Sequence, residues 1–178
     1  NPDNAAVLFK RLMGTSTPVK LPAVNLTMTP EECSAEVLRA LYGYLPEEIR
    51  GDGDTGTVIT VPAAFNQMQK DSTMAAADAA GLGRVALMQE PVAAVMSVMR
   101  QRKNDGVFVV YDLGGGTLDI AIAESISGRV TLLAHGGIAM CGGRDFDRIL
   151  FDNIVKPWLL ESFDLPEDLT TNPQFKSL

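Results

Sequence analysis

The sequence has little of several features that would assign it to a familiar class. Its 15 Lys and Arg residues are outnumbered by 22 Asp and Glu, giving a formal net charge of −7. A nucleic-acid-binding domain carries a clustered basic face, so we expect no nucleic-acid partner. The only cysteines, Cys33 and Cys141, lie far apart without metal-ligand spacing. This argues against a disulfide scaffold and favours a reducing compartment.

Long hydrophobic runs are also missing. No apolar run approaches the roughly 20 residues that span a bilayer, and no signal peptide is visible. We therefore predict a cytoplasmic protein with no membrane partner. The sequence begins at Asn1 and not at an initiator methionine. We therefore expect that it is a piece of a longer protein. Its apolar fraction of 46% is enough to bury a core.

The most informative stretch runs from Asp112 to Asp119 and holds three consecutive glycines between two acids. β-like apolar runs precede and follow it, at residues 107–111 and 120–123. Glycine amides in such a turn can form a concave anion site, because no side chain blocks the backbone. Carboxylates beside a phosphate need a hard cation such as Mg²⁺ between them. The stretch favours a site for a nucleotide triphosphate with Mg²⁺; the alternative is a Gly-rich hairpin with solvated acids.

The rest of the pattern alternates predicted helices and strands. Capping boxes are expected at Thr29 with Glu32 and at Asn66 with Gln69, and Glu90 begins a further helix. Residues 15–28 look irregular. The order predicts an α/β domain with a mixed sheet, in which a ligand binds beyond the strand ends. The predicted helices occupy residues 3–13, 30–45, 66–80 and 90–99 and a segment from 143 to Pro157; the predicted strands occupy 57–61, 84–88, 107–112, 117–124 and 129–135, the last two joined by a turn at 125–128.

Asp112–Asp119 resembles the second phosphate loop of the actin-like ATPase superfamily, and most of all that of the seventy-kilodalton heat-shock chaperones. Four other segments match that family in order and spacing. Lys10–Gly14 resembles its lysine-bearing segment and Ile59–Asn66 the strand and turn with its proline switch. Glu90–Ala94 resembles the helix start with its catalytic glutamate, and Gly142–Asp147 a helix start in its second lobe.

The resemblance implies an actin-like (ribonuclease-H-like) α/β fold, with a mixed β-sheet flanked by helices. It implies that the chain is a partial nucleotide-binding domain, with residues 1–106 in lobe I and residues 107–178 at the beginning of lobe II. The implied catalytic residues are Lys10, Glu90, Asp119 and Thr117; the phosphate-binding residues are Gly114, Gly115, Gly116 and Thr117; the metal-binding residues are Asp112 and Asp119; and the allosteric relay residues are Pro62 and Lys70.

Several positions depart from the family pattern. Lys70 stands where the family has Arg and loses its planar, two-pronged geometry. Leu118 and Ala64 each replace an aromatic residue, Arg144 replaces an acid and Val92 replaces Thr.

Single residues of these segments also have structural explanations that require no ligand. Taken alone, Lys10 would be a surface lysine and Glu90 an acid stabilised by a helix dipole. The single histidine, His135, is expected to be structural, and Cys141 is expected to pack.

The implied function is that of a molecular chaperone that hydrolyses MgATP to drive peptide binding and release. The implied cofactors are ATP or ADP and Mg²⁺, with K⁺ left open. The implied partners are unfolded peptide clients, bound through a domain absent here, a J-domain co-chaperone and a nucleotide-exchange factor. The isolated fragment is expected to be inactive. The alternatives are another actin-like ATPase, such as a filament former or a carbohydrate kinase, or a nucleotide-binding module without turnover.

Overall fold

The computed structural model describes residues 5–50, 56–101, 105–138 and 140–169. They form a mixed α/β structure. Its helices are α1 Pro30–Gly43, α2 Glu47–Arg50, α3 Gln67–Ala80, α4 Glu90–Gln101, α5 Gly143–Leu150 and α6 Lys156–Ser162; its strands are β1 Val19–Leu21, β2 Leu26–Met28, β3 Thr57–Val61, β4 Val85–Gln89, β5 Gly106–Leu113, β6 Leu118–Ile126 and β7 Arg129–Ile138.

Both predicted capping boxes are confirmed. The Thr29 hydroxyl accepts a hydrogen bond from the Glu32 N–H at 3.1 Å, and the Glu32 carboxylate accepts one from the Thr29 N–H at 2.8 Å. Asn66 and Gln69 make the equivalent pair at the start of α3, each at 3.0 Å. These bonds satisfy N–H groups that a helix cannot pair internally, so both starts are fixed by local sequence.

Small side chains let α1 and α3 pack closely against each other. Ala35 on α1 and Ala76 on α3 are 3% and 0% exposed, and Ala80 and Leu82 complete the buried cluster. Gly81 ends α3 with a φ of 77°, a left-handed conformation that glycine adopts without strain. This helix pair supports the parallel strands β3 and β4.

Strands β3 and β4 are parallel, paired from Thr57↔Val85 to Val61↔Gln89, with α3 as the connection between them. Within β3 only Val61 is buried, and Val58 is 55% exposed. Pro62 follows β3 and α4 follows β4 directly. The carboxyl ends of both strands therefore meet at one edge, where ligands bind in α/β sheets.

The three strands predicted after residue 106 are confirmed as an antiparallel sheet in the order β5-β6-β7. The turn between β6 and β7 is shorter than predicted, because Ser125 and Ile126 belong to β6. Ser127 and Gly128 make it, with φ angles of 52° and 81°, the positive values that a two-residue hairpin requires. Helix α4 packs on this sheet.

The predicted α/β architecture is present, but the described strands do not form one hydrogen-bonded mixed sheet. The β1–β2 pair, the parallel β3–β4 pair and the β5–β6–β7 sheet are three separate sheets. Periodicity identified the strands but contained no information on which of them share hydrogen bonds.

The segments before α1 also differ from expectation. The helix predicted at 3–13 is reduced, in its described part, to a 3₁₀ turn at Phe9–Leu12, because Leu8 has a left-handed φ of 58°. The supposedly irregular residues 15–28 form the β1–β2 hairpin. Its chain reversal uses a 3₁₀ turn at Pro22–Val24 and a left-handed Asn25 with a φ of 50°.

The sequence predicts that Pro157 ends or kinks its helix. In the structure α5 ends at Leu150, and Pro157 lies in the first turn of α6. The preceding π-helical segment, Phe151–Val155, connects α5 to α6.

Some predictions fall outside the described residues: positions 3 and 4 of the first helix, the loop Gly51–Asp54, and Asn104 at the joint before β5. Across the described helices, none combines the length and the apolar character needed to cross a membrane.

The capping box of α1 yields a test. Thr29→Ala removes the acceptor for the Glu32 N–H, and we expect the free energy of unfolding to fall by about 1 kcal/mol. The control is Thr17→Ala, since the exposed Thr17 hydroxyl makes no hydrogen bond with a described residue. Urea denaturation measures both variants, and equal effects would contradict the capping role.

Candidate functional site

A cleft of about 470 Å³ opens beyond the ends of β3, β5 and β6. Most of the residues predicted to form the site line it: Lys10, Pro62, Gly114, Gly115, Gly116, Thr117 and Asp119. A second pocket, of about 10 Å³, shares Asp119 with the cleft and is lined also by Glu90 and Asp112. Such a volume suits about one water molecule. The structure thus brings together residues from four separate parts of the chain.

Lys10 and Glu90 form an ion pair. The Lys10 Nζ lies 2.7 Å from the Glu90 Oε1, and the two side chains are 60% and 22% exposed. Lys10 is placed by the 3₁₀ turn and Glu90 by the start of α4, 80 residues later. The ammonium retains two more donors for a ligand.

Asp112 and Asp119 are directly opposite each other on β5 and β6. Cross-strand partners have side chains on the same face of a sheet, and like charges there destabilise it. A divalent cation would remove this repulsion. The described residues hold no cluster of three metal-ligand side chains, so two carboxylates would be supplemented by water or ligand oxygens, as Mg²⁺ prefers.

The loop Gly114–Thr117 connects β5 to β6. Two of its carbonyls accept hydrogen bonds from the start of α5: the Gly143 N–H donates to Gly114 at 3.0 Å and the Arg144 N–H to Gly115 at 3.1 Å. The N–H groups of Gly115 and Gly116 donate to no described residue. They are therefore unpaired donors in a loop that lines the cleft, which suits an anion.

Glycine is required where α5 begins. A Cβ on Gly142 would lie 2.5 Å from the Gly115 carbonyl carbon and 2.7 Å from its oxygen. Backbone atoms cannot move aside as a flexible side chain can. Gly142 therefore allows α5 to approach the loop closely enough for its amides to bond the loop carbonyls.

Arg11 and Asp145 were missed by the sequence reasoning. The Arg11 Nη2 donates to the Gly116 carbonyl and, at 3.0 Å, to the Asp145 Oδ2. The two side chains are only 16% and 13% exposed. Both residues belong to segments that match the family pattern, and their opposite charges were the one available signal. A separation of 134 residues hid their contact.

Asp145 also accepts a hydrogen bond from the Gly142 N–H at 3.0 Å. Partial burial raises the pKa of Asp145, but the hydrogen bonds from Arg11 and Gly142 and the charges of Arg11 and Arg148 outweigh it. The net effect is a pKa below the ordinary value, so the carboxylate is charged at neutral pH.

Of the two predicted relay residues, Pro62 is buried and lines the cleft. Lys70, in the first turn of α3, does not line it and makes no side-chain hydrogen bond or ion pair with a described residue. The structure does not bring Lys70 to the site, and its role stays a prediction.

Comparison with known proteins adds two findings. Residues 1–173 match the family model described as Hsp70 protein. The chain is 40% identical, over 152 residues, to a chaperone protein HscA homolog from Burkholderia cenocepacia, covering 85% of this chain and 24% of that relative. A homolog from Burkholderia ambifaria is 39% identical over the same shares. The chain thus spans 24% of the length of the curated relatives it matches.

The close approach of Gly142 to the loop can be tested by adding one methyl group. Gly142→Ala places a Cβ against the Gly115 backbone, and we expect a loss of about 1–3 kcal/mol from overpacking. Gly43→Ala is the control, since its Cβ would meet nothing within 4 Å; in a helix it should be neutral or stabilising by up to about 1 kcal/mol. Urea denaturation compares them, and an unaffected Gly142→Ala protein would contradict the close packing.

The Asp145 carboxylate predicts a pH dependence. Because its pKa is lowered by folding, the ion pair stabilises the protein above the unfolded-state pKa, and this contribution disappears as the pH falls through the folded-state pKa. Asp145→Asn should lower the Tm at about pH 7, and its difference from wild type should shrink towards about pH 3.

The control for this titration is Asp147→Asn, whose exposed carboxylate forms no ion pair with a described residue. A Tm difference for Asp145→Asn that stays constant across the pH range would count against the ion pair.

Proposed function

This chain belongs to the Hsp70 family, as part of a chaperone's ATP-binding domain, and on that premise we propose that the full protein binds MgATP in the cleft and hydrolyses it to drive peptide binding and release. The observation that carries the proposal is the convergence on the cleft of an ammonium, unpaired glycine amides and the Asp119 carboxylate, with Asp112 opposite Asp119 in the adjoining small pocket. Phosphoryl transfer needs mainly positioning and charge neutralisation, which are what these groups supply.

We assign roles as the resemblance predicts. The Lys10 ammonium would reach the γ-phosphate and the attacking water, and Glu90 would orient that water or the hydration shell of Mg²⁺. The amides of Gly114, Gly115 and Gly116 would cradle the β- and γ-phosphates with the Thr117 hydroxyl. Gly114 is the weakest of these donors, because its N–H already donates to the Thr117 carbonyl at 2.9 Å.

Asp112 would hold Mg²⁺ through water, and Asp119 would lie near the metal and the attacking water. The cation supplies neutralisation of the phosphate charge when it is bound. The opposed carboxylates of β5 and β6 fit a hydrated Mg²⁺ better than a cage made of protein ligands alone. The arrangement of these two carboxylates does not specifically favour K⁺.

The remaining assignments concern the whole protein. Unfolded peptides as clients, a J-domain co-chaperone and a nucleotide-exchange factor are proposed from family membership. Pro62 is proposed to begin the relay towards the peptide-binding domain, because it is buried and lines the cleft. Family membership favours this chaperone function over a filament former or a carbohydrate kinase. The cytoplasmic location stays a prediction, as does the inactivity of the fragment alone.

The proposal predicts the effect of Lys10→Ala on the full-length protein. Removal of the ammonium that faces the transferred phosphate should slow single-turnover ATP hydrolysis by about 100-fold or more. MgATP binding should persist, because the glycine amides remain. Lys20→Ala is the control: Lys20 lies on the exposed side of β1 and makes no ion pair with a described residue.

Single-turnover hydrolysis with radiolabelled ATP and calorimetric MgATP titration measure the two properties. If wild type and Lys10→Ala bind MgATP but are equally inactive, the protein is a binding module without turnover. If wild type does not bind MgATP, the proposed function is wrong.

A further inference from the structure

Arg11 connects three segments that are remote in sequence. Its guanidinium lies between the 3₁₀ turn that also places Lys10, the Gly116 carbonyl 105 residues later and Asp145 at the start of α5. Its Nη1 further donates to the Met140 Sδ at 3.4 Å. Unlike Lys10, Arg11 is mostly buried.

We propose that Arg11, oriented by Asp145, is a positioning residue that fixes the phosphate loop in its anion-binding conformation. The inference rests on the proposed function and adds to it a residue that acts through the loop backbone. On this inference the affinity for phosphate depends on the Arg11–Asp145 pair and not on Arg11 alone.

The argument depends on peptide planes. In a trans peptide the C=O of one residue and the N–H of the next point in opposite directions. Anchoring a carbonyl on one side of the loop therefore directs the following amide to the other side. The carbonyls of Gly114 and Gly115 are anchored by α5, which sets the amides of Gly115 and Gly116.

The Gly116 carbonyl is the third in this row, and the α5 amides that bond the first two do not bond it. Arg11 anchors it and so sets the Thr117 amide. A run of three glycines has unusual backbone freedom, so an unanchored peptide could rotate. Rotation would turn a carbonyl oxygen, with its partial negative charge, towards the phosphates.

The packing around Arg11 supports a fixed arrangement. A Cβ on Gly116 would lie 2.6 Å from the Arg11 Nε, so the guanidinium occupies the space that a side chain would fill. The Nε is buried and has no hydrogen-bond partner among the described residues. The hydrogen bonds to the loop and to Asp145 both come from the Arg11 Nη2, while the Nη1 donates to the Met140 Sδ.

Asp145 supplies the orientation. One of its oxygens accepts from both Arg11 and the Gly142 N–H, so the same carboxylate holds the guanidinium and begins α5. Loss of either member should therefore release the loop, and loss of both should cost little more than loss of one.

The test compares ligands with and without phosphates on the full-length protein. By calorimetry, Arg11→Ala should weaken MgADP binding about 10- to 100-fold, the range for one hydrogen bond to a charged group, while changing adenosine affinity less than about 2-fold. Asp145→Asn should weaken MgADP binding in the same way. Adding it to Arg11→Ala should change affinity by less than about 3-fold.

The matched control is Arg39→Ala. Arg39 likewise bonds a carboxylate, that of Glu36, and a carbonyl, that of Ala79 at 2.8 Å, but far from the cleft. It should alter neither affinity. Arg11→Lys, which keeps the charge and much of the volume, provides a milder variant should Arg11→Ala not fold, with an intermediate loss for MgADP only.

Each outcome distinguishes a positioning role of Arg11 from a purely structural one or from failure of the proposed function. Unchanged MgADP affinity in the Arg11 variants, or equal loss for MgADP and adenosine, would overturn the positioning role and leave a structural one. Additive effects of Arg11→Ala and Asp145→Asn would overturn the pair. Failure of wild type itself to bind MgADP would overturn the proposed function and this inference with it.

Discussion

The proposed site depends on one constraint: the carbonyls of a three-glycine loop must point away from a negatively charged ligand. Glycines would let the backbone reach the phosphates of that ligand, but the same freedom lets each peptide rotate. The loop cannot solve this by itself, because its only internal bond joins the Gly114 N–H to the Thr117 carbonyl. The anchors come from outside, namely the first amides of α5 and the Arg11 guanidinium. Helix and arginine therefore matter to the chemistry although neither is required to touch a nucleotide.

Several features of the fold follow from that constraint. Helix α5 must approach the loop within hydrogen-bonding distance, so Gly142 can have no side chain. The carboxylate that begins α5 must remain charged to hold Arg11, and the pKa of Asp145 is lowered in the folded protein. The β5–β6 register then places Asp112 opposite Asp119 just below the loop. The proposed cation would relieve their mutual repulsion.

The sequence predicted those features whose causes are local. The caps at Thr29 and Asn66 rest on contacts three residues apart, and the β5–β6–β7 strands rest on apolar runs and turn residues. The site residues were placed by resemblance, and the structure gathers all but Lys70. The Arg11–Asp145 contact spans 134 residues and produces no periodic signal, so the sequence could not reveal it. The predictions for residues 3–13 and 15–28 failed for a related reason. Leu8 and Asn25 are single left-handed residues, which redirect a chain without changing its hydrophobic pattern.

Two adjacent cations, Lys10 and Arg11, have environments suited to opposite tasks. The Lys10–Glu90 pair is exposed and worth about 0–1 kcal/mol, so a phosphate can replace Glu90 as the partner of Lys10 at little cost. The Arg11–Asp145 pair is largely buried, and separating it would leave an uncompensated charge in a poorly solvated position. A ligand is therefore expected to attract Lys10 and to leave Arg11 in place. On this reasoning Lys10 moves with the phosphate, while Arg11 keeps the glycine loop in the conformation that binds it.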